Sequence, residues 1–425
     1  EKSDKTMTIT ALYADERGEI YDAPGYHAVA RVGNSIAELK PEDMIPLPEG
    51  AELMYLPGRS ALMARKGKTE KLATTLLAVA AMLPVGYTRT HLPAFTKNEG
   101  APLLPLYGYT AAALYKGQIV VAAEQTSDNG KWHPHKYNTT ALTRKITAVK
   151  QELGPNRLVD HLAHCSRQWH CCTAQNLFYR RWECGIPVSP VCNADCLGCI
   201  SLQPSECCPS PQSRIAFAPT ADEVAAIGSY HLAHAPEGIV SFGQGCEGEP
   251  SLAASVIADS IGLIRAVTAK GMINMNTNGG YTAGIRQIAD AGIDSMRVSM
   301  ISARETTHQA YYRANYTMAD VRNSIVYAKS KGIHISINML LFPGLNDRPE
   351  EVAAWQDFIN ATGVDMIQLR NLNMDPDWLL AVMPPEQDKP VGIRSFLRDL
   401  SDACPQVELG SFTRYRSGET PKKQL

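Results

Sequence analysis

The chain lacks a charge excess of either sign: its 425 residues carry 41 lysines and arginines against 43 aspartates and glutamates. Wholesale nucleic-acid binding calls for a basic surplus, so composition argues against it. Long apolar runs are also missing. The most hydrophobic early stretch, Leu72 to Val85, ends at Pro84 and is too short to span a bilayer. No signal-peptide pattern precedes it, and a soluble cytoplasmic protein without membrane association is the expectation. Cysteine is nearly absent from most of the chain: of eleven, only Cys246 and Cys404 fall outside residues 165–208. Disulfide frameworks belong to small secreted domains, so this clustering in a long chain favours reduced thiols that hold metal. Such thiols imply an anaerobic or strongly reducing setting.

The length allows two or three domains with a complete core. Residues 1–150 read as a β-rich domain. Short apolar runs at Met7 to Tyr13, His27 to Val32, Glu52 to Leu56 and Gln118 to Ala123 are separated by turn signals such as Glu16-Arg17-Gly18 and Asp128-Asn129-Gly130. One helix, about Glu70 to Met82, interrupts them. No catalytic motif is legible there, and position alone suggests a substrate cap or a partner-binding domain. His133 and His135 read as part of a solvated loop rather than as a ligand pair. Residues 151–185 form a cysteine-containing connector, helical from Asn156 to Trp182, where Leu158, Leu162, Cys165, Trp169 and Cys172 recur at three- and four-residue intervals.

Beyond Gly185 the pattern alternates. Strands are expected at 186–191, 238–242, 272–276, 294–300, 333–341 and 364–370, and helices at about 220–234, 251–270, 281–291, 318–331 and 349–361. Thr220 and Glu223 make a capping box at one helix start. Such alternation points to an α/β fold of right-handed parallel βαβ units over residues 186–375, with a C-terminal extension over 376–425.

Directly after the first expected strand stand Cys192, Cys196 and Cys199, at x3 and x2 spacing. Three thiolates hold three corners of a [4Fe-4S] cube; four normally complete one, so one iron is left for a small molecule. A zinc knuckle or a structural cluster is the alternative. The loop resembles the Cys-x3-Cys-x2-Cys signature of the radical S-adenosylmethionine (radical SAM) superfamily. That resemblance implies a partial (β/α)6 TIM-like barrel with its chemistry at the carboxyl ends of the strands. It implies a [4Fe-4S] cluster whose open iron binds SAM, reductive cleavage of SAM to a 5′-deoxyadenosyl radical, and an electron donor such as flavodoxin or ferredoxin.

Further residues carry the resemblance. Glu247-Gly248-Glu249-Pro250 is similar to the family's Gly-Gly-Glu-Pro element with glutamate for the first glycine, and Thr277-Asn278-Gly279 is similar to the family's close of the third strand. Gly248, Glu249, Pro250, Asn276, Asn278, Arg297, Ser299 and Asn338 are therefore the candidate SAM contacts. Asn274, Asn276 and Asn278 share one face of their strand; three inward amides need polar partners, which SAM would supply. Phe342-Pro343-Gly344-Leu345-Asn346-Asp347 resembles the turn that often ends the fifth strand. Gln368, Arg370, Asn371, Asn373 and Asp375 are candidates for substrate contacts. One departure stands out: where many members carry an aromatic residue against the adenine, just before the third cysteine, this chain has Gly198, with Leu197 beside it.

The remaining thiols, Cys165, Cys171, Cys172, Cys184, Cys207, Cys208 and Cys246, are enough for an auxiliary iron–sulfur cluster or a zinc site; small core hydrophobes are the alternative. They match neither a C-terminal SPASM pattern nor the spacing of lipoyl synthase. The cobalamin signature Asp-x-His-x-x-Gly and an eight-cysteine ferredoxin insert are absent. The expected activity is hydrogen abstraction from an unidentified small-molecule or peptide substrate, in peptide or protein modification or in cofactor biosynthesis. No catalytic residue beyond the cofactor ligands is assigned. The competing expectation is a non-catalytic iron–sulfur or zinc protein whose barrel binds a partner.

Overall fold

The computed structural model describes residues 9–203 and 208–416. Residues 10–125 form antiparallel sheet, most of it one eleven-stranded sheet with a small two-stranded companion. Its hairpins are built by local turn chemistry. Lys66 and Gly67 both take positive φ, 50° and 74°, the type I′ geometry that matches strand twist, and they join Glu52–Arg65 to Lys68–Lys71. The helix expected over 70–82 is instead a strand, Leu77–Met82, buried almost throughout. Its Ala- and Leu-rich run suits a helix by propensity. Pairing to Glu52–Arg65, Thr10–Ala14 and Tyr109–Tyr115 overrides that preference.

The connector differs as well. A helix at Leu142–Leu153 lies inside the range expected to be β-rich, and the single helix expected from Asn156 to Trp182 is two, Arg157–Gln168 and Cys172–Tyr179. Asn156 caps the first, accepting from Leu158 N at 2.9 Å, and the break falls at His170, where φ is +51°. The long expected helix at 251–270 is a short 3₁₀ turn, Pro250–Ala253, followed by Ala254–Val267. That apolar segment is long enough to cross a membrane, yet its Ile257, Ile261 and Ile264 are buried in the main core.

The second unit is a seven-stranded parallel sheet in sequential order: Glu183–Gly185, Ile239–Phe242, Met272–Thr277, Ser295–Met300, His334–Leu341, Met366–Asn371 and Glu408–Gly410. The first strand precedes its expected place; residues 186–191 lie outside it as an extended segment, with Ile186 N still bonded to Ser241 O at 2.9 Å. The seventh, in the C-terminal extension, was not legible in the sequence. Alternation decides what faces where. Ile273, Met275, Met296, Val298, Ile335, Ile337, Ile367 and Leu369 belong to the large apolar cluster shared with the helices. The opposite face of the same strands carries Ser241, Asn274, Asn276, Arg297, Ser299, Ser336, Asn338, Gln368 and Arg370. A full TIM barrel fills its interior with branched apolar side chains; this half-barrel presents polar ones.

The β-rich region docks on the strand exits. Arg59 and Asp375 form a buried ion pair at 2.6 Å, Arg89 donates its backbone N–H to Asn371 Oδ1 at 3.0 Å, and Gly33 N bonds to Pro343 O at 3.1 Å. Asp375, expected to contact substrate, also caps the helix Pro376–Val382 through Asp377 N. Its carboxylate serves this junction.

Candidate active site

The cysteine loop is held from several sides. Asp195 N and Leu197 N bond to the carbonyls of Tyr312 and Tyr311 at 2.9 and 3.0 Å. Asn278 Nδ2 donates to Asn193 Oδ1 at 2.6 Å, which ties the third-strand exit to the loop. Behind the loop, Gly248 N bonds to Ser189 O at 2.7 Å and Glu249 N to Val191 O at 2.8 Å. A Cβ on Gly248 would lie 1.9 Å from Val191 O, so only glycine permits this approach.

Glu247, noted in the sequence only as a departure and given no role, binds the loops together. One carboxylate oxygen accepts from Val188 N (2.7 Å) and Ser189 N (3.0 Å), the other from Gly243 N (2.6 Å) and Gln244 N (2.8 Å). Burial pushes this carboxyl up to about 7 against the four N–H donors that favour its anion. Glu249 is likewise buried and raised by burial. Its oxygens accept from Ser251 N, Thr277 Oγ1 and Asn278 N, and Pro250 opens the 3₁₀ turn behind it.

Protein groups also satisfy the asparagine row that was expected to need a ligand. Asn274 Nδ2 donates to Ser241 Oγ and Asn276 Oδ1 at 3.1 and 3.0 Å, Ser295 Oγ donates to Asn274 Oδ1 at 2.8 Å, and Asn276 Nδ2 donates to Gly243 O at 3.1 Å. These amides position neighbouring strands. Of the expected SAM contacts, Arg297, Ser299 and Asn338 line a cavity of about 710 Å³. Asn338 Nδ2 donates to Ser299 Oγ at 3.2 Å, and Arg297 Nη1 donates to Gln368 Oε1 at 3.0 Å, so Gln368 orients the arginine.

Cys196 and Cys199 open on the same cavity, together with Glu183, Arg370, Asn371 and Asn373. Burial lowers the affinity of Arg297 for its proton, with Glu183 opposing, and brings Arg370 to about 9, aided by the like charge of Arg297. Among the described residues neither arginine has an ion pair within 4.0 Å, and Arg297 Nε has no partner. The walls include Trp132 from the N-terminal region, Trp169 from the connector and Phe412 after the seventh strand. Those three lie far apart in sequence and carried no motif.

Gly198 finds its explanation here. A Cβ there would meet Tyr311 Oη at 2.8 Å and Met374 Cγ and Sδ at 3.2 Å. Tyr311 and Met374 thus occupy the space a side chain there would take, while Leu197 is buried at 1% exposure in the apolar cluster behind the loop.

Burial raises the Cys192 thiol and, more strongly, that of Cys196, where the charges of Cys192 and Cys199 add to it. Arg214 Nη2 donates to Cys199 Sγ at 3.5 Å. Sulfurs around one tetrahedral zinc stand roughly 3.8 Å apart, given Zn–S of about 2.3 Å. Among the described residues, the triads with all ligand atoms within 4.8 Å of one another are His161–Cys165–Cys246 and the more exposed Glu49–His133–His135. The three loop thiols are not among these triads.

The other cysteines separate. Cys184 and Cys404 are buried in the core, Cys171 and Cys172 line the cavity, Cys208 packs against the apolar cluster behind the loop, and Cys207 lies outside the described residues.

Residues 186–355 match the family model described as the Radical SAM superfamily. No curated protein matches the chain. Similar solved structures include Streptococcus suis SuiB bound to precursor peptide SuiA, at 12% identity and TM-score 0.38, over 64% of this chain and 61% of that one. Methylornithine synthase (PylB) is similar at 12% identity and TM-score 0.36, over 63% and 85%. The FeFe-hydrogenase maturase HydG from Carboxydothermus hydrogenoformans is similar at 14% and 0.33, over 63% and 70%. The chain thus covers less than two thirds of the SuiB chain.

Proposed function

We propose, from the match of residues 186–355 to the Radical SAM superfamily model, an enzyme that cleaves SAM reductively and removes a hydrogen atom from a substrate seated in the 710 Å³ cavity. Cys192, Cys196 and Cys199 would hold the [4Fe-4S] cluster. When bound, cluster and SAM supply one-electron cleavage of the sulfonium and a carbon-centred radical; the hard chemistry is theirs. The protein's part is to place and shield them. Arg297 and Ser299 face the cavity where a SAM carboxylate and hydroxyls can be bound, while Glu247, Glu249 and Asn278 position the loops that carry the thiols. Trp132, Trp169, Leu340, Leu372 and Phe412 keep the cavity wall apolar and limit water.

The single observation that carries the reading is convergence: two thiols of the loop and the inward arginines of the fourth and sixth strands border one cavity. Arg297 and Arg370 face a single acid, Glu183, whose Oε1 already accepts from Ser241 Oγ at 2.7 Å. A substrate bearing a carboxylate or phosphate fits this surplus, whether a small molecule or a peptide. An electron donor such as flavodoxin or ferredoxin, a reducing cytoplasm and a second metal centre in the connector belong to the same reading.

The test is anaerobic: reconstituted chain, SAM and dithionite, with 5′-deoxyadenosine measured by chromatography. Product from the natural chain and none from Cys196→Ala is the expected outcome. A chain with its full cluster that yields no 5′-deoxyadenosine would sink the proposal and favour a non-catalytic binding protein.

A further inference from the structure

We propose that His161, Cys165 and Cys246 bind a single metal ion of the zinc class, a centre separate from the loop that holds Cys192, Cys196 and Cys199. His161 and Cys165 stand four residues apart on the helix Arg157–Gln168, where side chains at that spacing share a face. Cys246 comes from the loop after the second parallel strand, 81 positions further on. The fold brings the three ligand atoms within 4.8 Å of one another, with Cys165 Sγ 3.5 Å from His161 Nε2. Both thiols are nearly inaccessible, at 1% and 2% exposure.

Two sulfurs and an imidazole at this spacing are a donor set for one tetrahedral ion. Ligands of a cube sit on separate irons and stand further apart, so the tight grouping selects a mononuclear centre over an auxiliary iron–sulfur cluster. Cys171 stands nearby but outside this group of three. Its backbone N–H donates to the Cys165 carbonyl at 3.2 Å, while its thiol bonds Thr173 Oγ1 at 3.3 Å and lines the cavity. None of the three ligands lines the cavity and both thiols are buried, so the role is structural.

The site has a mechanical consequence. Cys246 directly precedes Glu247, Gly248 and Glu249, which hold the cysteine loop. An ion at Cys246 fastens that segment to the connector helix, and Ile215 N adds a bond to the Cys246 carbonyl at 2.8 Å. The metal therefore braces the cluster loop from outside the cavity.

The test counts metal in the full chain, purified and reconstituted without oxygen, and does not depend on radical chemistry. Plasma mass spectrometry is expected to find about one zinc per chain in the natural protein and in a Cys192/Cys196/Cys199 triple-alanine variant. His161→Ala and Cys246→Ser are expected to lose zinc at least tenfold, while Cys404→Ser keeps it. Cobalt added to the zinc-stripped natural chain should give thiolate-to-metal charge-transfer absorption, which needs no variant to fold. Natural protein that takes up neither zinc nor cobalt refutes the site, as does zinc retained in both ligand variants. Residual iron with matching sulfide at about four per chain in the triple variant would replace it with a second cluster. A Cys165–Cys246 disulfide in the anaerobically purified chain would also overturn it.

Discussion

Gly248→Ala tests how the cysteine loop is held. Gly248 N to Ser189 O (2.7 Å) and Glu249 N to Val191 O (2.8 Å) are two rungs between the second-strand exit and the residues leading into Cys192. An added Cβ would lie 1.9 Å from Val191 O, 2.4 Å from Val191 C and 3.1 Å from Cys192 N, all backbone atoms that cannot rotate away. Ordinary contact begins near 3.4 Å, so the two segments must separate by roughly 1.5 Å, enough to break both rungs. Two hydrogen bonds at about 1 kcal/mol each, with about 1–3 kcal/mol for overpacking, give an expected loss of about 3–5 kcal/mol. Urea unfolding reads that loss, and iron and sulfide after anaerobic reconstitution read the displacement of the thiols. Gly262→Ala is the control: nothing lies within 4 Å of its Cβ, it sits within the helix Ala254–Val267, and alanine there should stabilise by about 1 kcal/mol. Natural stability and a full iron complement in Gly248→Ala would refute the reasoning.

Three further outcomes are expected. Arg297→Ala should weaken SAM binding by about 1.5–3 kcal/mol, the range for a hydrogen bond to a charged group; undiminished affinity by calorimetry would confine Arg297 to its bonds with Gln368 and Thr413. Asp375→Ala leaves Arg59 buried without its counter-ion and should cost about 3–5 kcal/mol, with faster proteolysis of residues 10–125; an unchanged melting temperature and cleavage pattern would show that the junction is held elsewhere. Glu247 has a folded pKa of about 7, above its ordinary 4.5, so the folded state binds the extra proton between those values. Its contribution to stability is complete below about pH 4.5 and falls as pH rises through 7. Glu247→Gln should flatten that slope between about pH 5 and pH 8, and an identical slope in urea midpoints would assign it to other groups.

Much of the barrel was legible because its signals are local. Period-two alternation in Ser295–Met300 and His334–Leu341 places polar side chains on one face whatever the neighbours are, and Thr220 with Glu223 forms its capping box within a single turn. The cysteine loop was equally plain, since its three thiols lie within eight residues. Leu77–Met82 was misread because a short apolar run fits a buried strand and a helix alike, and only its pairing partners decide. Tertiary structure alone reveals what Glu247 does: its four N–H donors come from two loops that parallel pairing of the first two strands brings together. Gly198 is explained only by the approach of Tyr311 and Met374, and the grouping of His161, Cys165 and Cys246 only by a helix packing against a loop 81 residues away. The sequence by itself determined the alternation of strands and helices and the spacing of the Cys192–Cys199 thiols, because backbone pleat and spacing along the chain are short-range. What fills the cavity wall, which acids hold loops and which thiols converge were decided by the fold, because those contacts join segments that no local pattern relates.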